Sequence, residues 1–295
     1  MGRALKTLND GKQLITGVTF SGDSLYVTRE SAEEVEVYDR DVFHSTNTLR
    51  VPGLGYSTDI VFCPRNRCCY ICDGRNNCIQ RLSLCRTATE SIAYRKADFP
   101  SRWRATRHSE DDTAMSLSKW PVNDEPAHLS VTAEHSVLVT CSVVRKIKEF
   151  TADGELIREL QLPESVTSPE HTIRLSSGQF IVCHGGFGDP IHRVCLIGRD
   201  GQVVRLYGEP KGSGSQQMDS PTHLAVDRKG YVFVADLKNC RVLLLSPSLA
   251  YIREIVSRDQ LKGGYPVRLC LDPDTSLLYV AVSDGPRGRL LVASV

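Results

Sequence analysis

Three histidines recur in the same short phrase, and they are the residues of this sequence best suited to chemistry. His128, His171 and His223 each stand two residues after a proline, in Pro-Ala-His, Pro-Glu-His and Pro-Thr-His. Imidazoles can bind zinc, exchange protons near neutral pH, or contact an anionic partner once they are protonated. Because all three occupy one place in a repeated pattern, we expect them to lie close together in the folded chain.

The same phrase returns three more times with other residues at the histidine position. The spacings between successive copies are 42, 69, 43, 52 and 45 residues. A period near 45 residues is typical of repeat architectures. We call the six residues at this position the anchor residues: Gly17, Asp59, His128, His171, His223 and Arg268.

Each repeat predicts four short β-strands separated by turns. In the copy from 221 to 256, apolar segments occur at 224–227, 231–235, 241–245 and 251–256, with turn residues between them. Four such segments form an antiparallel meander. A series of these units at even spacing indicates an all-β fold, a six-bladed β-propeller of four-stranded antiparallel blades around a channel.

The repeats divide one expected domain, residues 1–295, into six blades. We place the blades at about 12–54, 55–122, 123–164, 165–212, 213–258 and 259–295. The last repeat supplies only three strands, so residues 1–10 are expected to add the fourth and close the ring. Closure of this kind removes exposed strand edges.

The second repeat is about 25 residues longer than the others. The excess, residues 86–113, is predicted to be an insertion between the third and fourth strands of blade two. Basic residues surround Trp103 there, and such a pattern can bind a nucleic-acid strand. A solvated loop is the simpler interpretation.

Composition excludes several function classes. The chain has 36 basic and 35 acidic residues, a net charge of +1, so no overall field attracts DNA, and RNA binding would need a local basic patch. No apolar stretch is long enough to span a membrane, and the start lacks a signal peptide, so we expect a cytoplasmic location. The sequence predicts no cofactor.

The eleven cysteines are expected to be reduced, because most lie in apolar runs and their number is odd. Cys69 and Cys72 have a zinc-like spacing, yet residues three apart in a strand point to opposite faces. Asp73 and Asp236, at equivalent turns, are expected to accept backbone N–H bonds rather than to take part in catalysis.

The segment 220–242, with Val-Ala-Asp236 and Asn239-Cys-Arg-Val242, resembles an NHL repeat. Residues 73–79 and 126–150 give further matches, and the resemblance extends over essentially the whole chain. It is similar to the six-bladed propellers at the end of animal tripartite-motif proteins. The resemblance implies a propeller that binds protein or RNA. In that family a separate RING domain carries ubiquitin ligase activity, and this sequence has no RING pattern, so we expect no such activity here.

The anchor residues are expected to form a ring at the mouth of the channel, on the top face where each blade begins. We predict a non-catalytic module that binds a protein partner there through five rim residues. The turns near Asp73, Asp236 and His184, a histidine of the lengthened blade-four turn, are expected to help. RNA binding is the alternative. The predicted rim residues are Asp59, His128, His171, His223 and Arg268.

A metal-dependent lyase or hydrolase is a third possibility, with His128, His171 and His223 as weak candidate zinc ligands. The related peptide-amidating lyases hold zinc through histidines of such repeats, but there the histidine follows the proline directly. Here it comes one residue later, and one step along a strand turns a side chain over. We therefore predict a docking rim in preference to a metal site.

Overall fold

The computed structural model describes residues 3–84, 115–208, 210–214 and 216–295. The predicted insertion 86–113, with its basic residues around Trp103, lies outside these residues. Within them the chain forms β-strands joined by turns, and no described helix is long and apolar enough to cross a membrane.

The strands group into six sheets of four. Blade one contains β2 Ile15–Ser21, β3 Ser24–Arg29, β4 Glu34–Asp39 and β5 Ser45–Arg50; blade two contains β6 Ser57–Cys63, β7 Cys68–Asp73, β8 Cys78–Leu84 and β9 Met115–Pro121. Blade three contains β10 His128–Val131, β11 Val137–Cys141, β12 Lys146–Phe150 and β13 Leu156–Gln161; blade four contains β14 Pro169–Arg174, β15 Phe180–His184, β16 Arg193–Ile197 and β17 Val203–Tyr207. Blade five contains β18 Pro221–Val226, β19 Val232–Asp236, β20 Arg241–Leu245 and β21 Tyr251–Val256; blade six contains β22 Tyr265–Asp272, β23 Leu277–Asp284, β24 Arg287–Ser294 and β1 Arg3–Leu8.

The order of strands confirms the predicted all-β, six-bladed propeller. Five sheets are simple meanders, and the sixth has the order β1-β24-β23-β22. In that sheet Leu8 pairs with Leu290 and Thr7 with Leu291, so the N-terminal strand completes the last blade as expected. The ring is closed by the two ends of the described chain.

The apolar core lies between neighbouring blades. Side chains alternate across each strand, so every sheet presents one set of apolar residues to the preceding blade and another to the next. Cys69 packs in the cluster between blades one and two, and Cys72 packs in the cluster between blades two and three. This confirms that the two thiols point to opposite faces and do not share a metal.

Two faces of the disc follow from the strand order. The links between blades and the turns between second and third strands lie on one side, the top face; the remaining turns lie on the bottom face. At the top, Asp73 accepts the backbone N–H groups of Gly55, Tyr56 and Asn76. Asp236 accepts the N–H of Asp219. Both aspartates thus have the predicted turn-capping role.

Candidate functional site

The anchor residues stand on the innermost strand of each blade, and five of these six strands are irregular just before the anchor. The pairing register shifts between Ser57 and Asp59, between Pro169 and His171, and at the equivalent positions of β2, β18 and β22. Such a β-bulge places one extra residue and re-aims the side chain that follows it. The bulges therefore direct the anchor side chains into the channel.

Anchor side chains connect the innermost strands of neighbouring blades. Asp59 of blade two accepts the N–H of Leu129 in blade three through Oδ2, at 3.0 Å. His171 of blade four accepts the N–H of Leu224 in blade five through Nδ1, at 3.3 Å, and its Nε2 donates to the Leu129 carbonyl at 2.9 Å. Both ring nitrogens of His171 are therefore occupied by backbone groups.

His223 repeats the contact one blade further on. Its Nδ1 accepts the N–H of Leu269 in blade six, at 3.3 Å. Because His171 and His223 make the same contact, their rings lie nearly parallel, with centroids 3.8 Å apart and planes 21° apart. The remaining nitrogen, Nε2 of His223, lies 3.5 Å from Asp59 Oδ2 and has no hydrogen-bond partner among the described residues.

His128 has a different orientation from the other two histidines. Its Nδ1 donates to the carbonyl of Glu170 at 2.6 Å, so it is a donor where His171 and His223 accept. Its ring is tilted 88° from that of His223 and 75° from that of His171. The three imidazoles thus converge, as the repeat predicted, without being equivalent.

Arg268 and Gly17 complete the ring as a pair. A Cβ at Gly17 would lie 2.7 Å from the backbone nitrogen of Ile60, so blades one and two approach too closely there for a side chain. Arg268 of blade six passes this gap and donates from Nε and Nη2 to the carbonyl of Thr58 in blade two, at 3.1 and 2.6 Å. Its Nε lies 4.0 Å from Asp59 Oδ1.

The ring lies inside the channel, which differs from the expected exposed rim at its mouth. Asp59 and the three ring histidines are buried, and the Arg268 side chain is 12% exposed. Burial holds the pKa of His128, His171 and His223 well below the usual 6.5, and the positive charge of Arg268 lowers it further. The imidazoles are therefore neutral at physiological pH. A partner can contact these side chains only from within the channel.

The ring also contains the arrangement most similar to a metal site. One ligand atom from each of Asp59, His171 and His223 lies within 4.8 Å of the others. Two features argue against coordination. His171 would have to give up a backbone hydrogen bond, and stacked imidazoles direct their nitrogen lone pairs side by side rather than toward a common point. These contacts fit a structural link between blades better than a metal centre, and His128 is not part of the group.

The ring separates two chambers of the channel. The top chamber has a volume of about 640 Å³, and His128, Arg268, Glu170 and Tyr56 line it. The bottom chamber, about 930 Å³, is reached by Asp59, His171 and His223 on its inner side, and its walls carry apolar side chains together with polar ones such as Thr19, Asn47 and Ser130. The ring that looked like one site in the sequence thus contributes different residues to two cavities.

The lengthened turn of blade four lies on the top face, but its histidines are not available for docking. His184 and His192 are fully buried and contact backbone groups, and burial lowers the pKa of His184 to about 4. The His184 side chain is therefore not exposed to a partner, and docking by the turn that carries it stays a prediction. The exposed aromatic residue of this turn is Phe187, whose side chain is 95% exposed.

Phe187 is difficult to single out from the sequence alone. It lies in the run Gly185-Gly186-Phe187-Gly188, where glycines suggest a loop and the neighbouring histidines attract attention. A lone apolar residue in a glycine-rich loop is the only signal that could have indicated it.

Comparison with known proteins shows the fold and no more. No family model matches the sequence, and no curated protein matches it. The PQQ-bound aldose sugar dehydrogenase from Streptomyces coelicolor superposes with a TM-score of 0.67 at 15% identity, over 100% of this chain and 98% of that one.

Two further solved structures agree over their full length. A catalytically inactive virginiamycin B lyase from Staphylococcus aureus with quinupristin has a TM-score of 0.64 at 12% identity, over 98% of this chain and 99% of that one. The Cps50 (Swd1) β-propeller domain of Myceliophteria thermophila has 0.62 at 13%, over all of both chains. Two of these structures are named as enzymes and the third only as a propeller domain, so the propeller fold does not assign a function.

Proposed function

We propose that this propeller is a non-catalytic binding module whose protein partner docks on the top face, over the top chamber. The observation that carries the proposal is Phe187, an aromatic side chain presented almost entirely to solvent. Aromatic side chains are enriched at protein interfaces, where a few residues supply most of the binding free energy.

The loop that carries Phe187 is preorganised rather than loose. Asp189 Oδ2 accepts the N–H of Gly186 at 2.8 Å, and the N–H of Gly185 donates to the carbonyl of Thr167. Glycines with positive φ on both sides of the aromatic residue allow this compact turn. A loop backbone held in this way loses little conformational entropy on binding, which supports a role for Phe187 as a docking anchor.

The top chamber beside this loop offers groups of both signs. Arg268 uses three of its five N–H donors on backbone carbonyls, and Glu170 lines the same cavity with a side chain 30% exposed. Val143, on the chamber wall, is exposed as well. A partner segment with an apolar residue for the rim and a polar group for the chamber would match this surface.

The resemblance of residues 220–242 to an NHL repeat is consistent with this proposal. The resemblance implies a propeller that binds protein or RNA, as in the tripartite-motif proteins. The anchor side chains also support a non-catalytic role, because Asp59, His171 and His223 are engaged in backbone contacts between blades.

The test is quantitative affinity capture with the wild-type chain, Phe187→Ala and a lower-face control, Val42→Ala. Val42 is also exposed, at 73%, and lies in the turn after β4. We expect at least one protein whose recovery falls by about tenfold with Phe187→Ala, the equivalent of about 1.4 kcal/mol, and stays at the wild-type value with Val42→Ala. Equal recovery with all three proteins would contradict top-face docking.

RNA binding is the second candidate, and one observation favours it. The top sides of blades five and six carry five exposed cations. Among the described residues of the same turns and links, the exposed carboxylates are Asp259 and Asp284. Lys238 also lies over the ring of Tyr265, 5.1 Å from its centre. The exposed cations are Lys211, Lys238, Arg258, Lys262 and Arg287.

Salt dependence separates the two candidates. Binding of single-stranded RNA by these cations would weaken steeply with salt, with a slope of log K against log salt of about −0.7 for each phosphate contacted. A double substitution, Lys238→Ala with Lys262→Ala, should then reduce the slope. Absence of RNA binding at low salt would remove this candidate and leave the protein partner.

A further inference from the structure

The bottom chamber combines a large volume with a ring of apolar side chains on its wall. Its volume of about 930 Å³ lies in the range of small-molecule pockets, which are mostly apolar with few polar groups. It is independent of the top face, because the buried ring of anchor residues separates the two chambers. A proposal for this cavity therefore stands or fails separately from the proposed function.

The walls of the chamber are built by the repeat itself. In five of the six blades the residue three positions after the anchor is apolar and lines the cavity. In blade four this position is Arg174, which pairs with Glu134 and Glu149, and Ile173 lines the cavity instead. The five apolar residues are Phe20, Phe62, Val131, Val226 and Leu271.

These side chains are only partly buried, although they are apolar. Each retains exposed surface in the structure and faces a cavity that is open to solvent at the bottom. Apolar surface in a concave site gains free energy when an apolar ligand replaces water there. The apolar part of the wall can therefore contribute free energy to the binding of an apolar ligand.

The lining of the chamber extends beyond the channel. It includes Val37, Asn47 and Leu49 on the outer strands of blade one and Ser83 and Leu84 of blade two, so the cavity continues into the space between these two blades. A compact ligand would leave this arm empty. The shape therefore fits an extended molecule.

The charged group at the inner end already faces a charge of opposite sign, because Arg268 Nε lies 4.0 Å from Asp59 Oδ1. Asp59 accepts two backbone N–H groups, from Ile60 and Leu129, and both nitrogens of His171 are bonded to the backbone. Burial lowers the pKa of His171 and His223, so both rings are neutral. An ionised ligand would lose hydration on entering and gain no counter-charge from these groups.

We propose that the bottom chamber is a binding site for a neutral, elongated, mainly apolar small molecule. The molecule lies against the apolar residues of the innermost strands and extends into the arm between blades one and two. The faces of the stacked histidines close the inner end of the site.

The probe for this site is Nile red, a neutral dye whose fluorescence reports an apolar environment. We expect saturable binding of one dye per chain to the wild type. Val131→Lys and Val226→Lys each place a charge in the chamber and should weaken binding by about tenfold or more, whereas Val42→Lys, on the same face but outside the chamber, should change it by less than about twofold.

A second measurement covers the case in which a lysine variant fails to fold. Titration of the wild type with Nile red should shift the methyl resonances of Val131, Val226 and Leu271 in a saturable way and leave those of Val42 unchanged. No saturable binding, or binding that leaves the chamber methyl groups unshifted, would overturn the proposal.

Discussion

The two chambers of the channel are built from the same six strands, yet they differ in chemistry. The top chamber contains Arg268, Glu170 and His128, whereas the walls of the bottom chamber carry Phe20, Val131 and similar residues. Three residues along each strand separate the two sets. The anchor position varies from blade to blade, and the position three residues later is apolar in all blades but one.

The difference shows which positions of a repeat can vary in residue type from blade to blade. An anchor side chain contacts only its neighbouring blade and the channel, so each copy can adopt its own hydrogen-bonding role. Gly17 allows close approach, Asp59 and His171 accept backbone N–H groups, and Arg268 donates. The layer between the chambers is therefore a structural ring, and we expect its removal to affect stability before it affects binding.

Acidification should have the largest effect on the free energy of unfolding. The pKa values of His128, His171 and His223 are lowered in the folded chain, so on acidification the unfolded chain takes up protons near pH 6.5 while the folded chain does not. Their contribution to stability is full above pH 6.5 and is lost as pH falls toward the folded pKa values. Three histidines give a slope of up to about 4 kcal/mol per pH unit.

Urea unfolding at several pH values between 7.5 and 5 measures this slope. His171→Gln, which keeps a hydrogen-bonding side chain and removes the titration, should reduce the slope by about one third. A stability that does not change over this range would contradict a neutral, buried ring.

A substitution that removes hydrogen bonds of the ring should lower the free energy of unfolding by a smaller amount. His171→Leu leaves the Leu129 carbonyl and the Leu224 N–H without their partner, and each such loss costs about 1–3 kcal/mol. We expect the free energy of unfolding to fall by about 3 kcal/mol. His44→Leu, at an exposed turn, is the matched control and should stay within about 0.5 kcal/mol of the wild type. Similar losses in both variants would show that the ring has no special role.

A substitution at the contact between blades one and two should have the next largest effect on stability. Gly17→Ala places a Cβ 2.7 Å from the backbone of Ile60, and the strain should cost about 1–3 kcal/mol. In the control, Gly214→Ala, the nearest atom is the flexible end of Gln217, which can move away. Thermal unfolding compares the two variants. Equal melting temperatures would mean that blade two moves to accommodate the added Cβ without a loss of stability, which would contradict the prediction.

The repeat period made the fold readable from the sequence. Four apolar segments per repeat predicted the blades, and the incomplete last copy predicted the N-terminal strand that pairs with β24. The convergence of Asp59, His128, His171, His223 and Arg268 followed from the same period.

The role of these residues could not be read in the same way. β-Bulges before the anchors leave no mark in an apolar pattern, so counting residues from the proline does not give the direction of a side chain. Whether an imidazole contacts solvent or a backbone amide depends on the distance between blades. The apolar positions three residues after the anchors were visible as part of the strands, but only the closed ring brings them around one cavity.

The central claim is that the top face binds the partner, while the ring and the bottom chamber do not. Capture from one extract with Phe187→Ala and Val226→Lys in parallel tests it most directly, provided that both variants melt near the wild-type temperature. The account predicts that a specific partner is lost with Phe187→Ala and retained with Val226→Lys. Loss with Val226→Lys and retention with Phe187→Ala would contradict it and would move the partner to the bottom face.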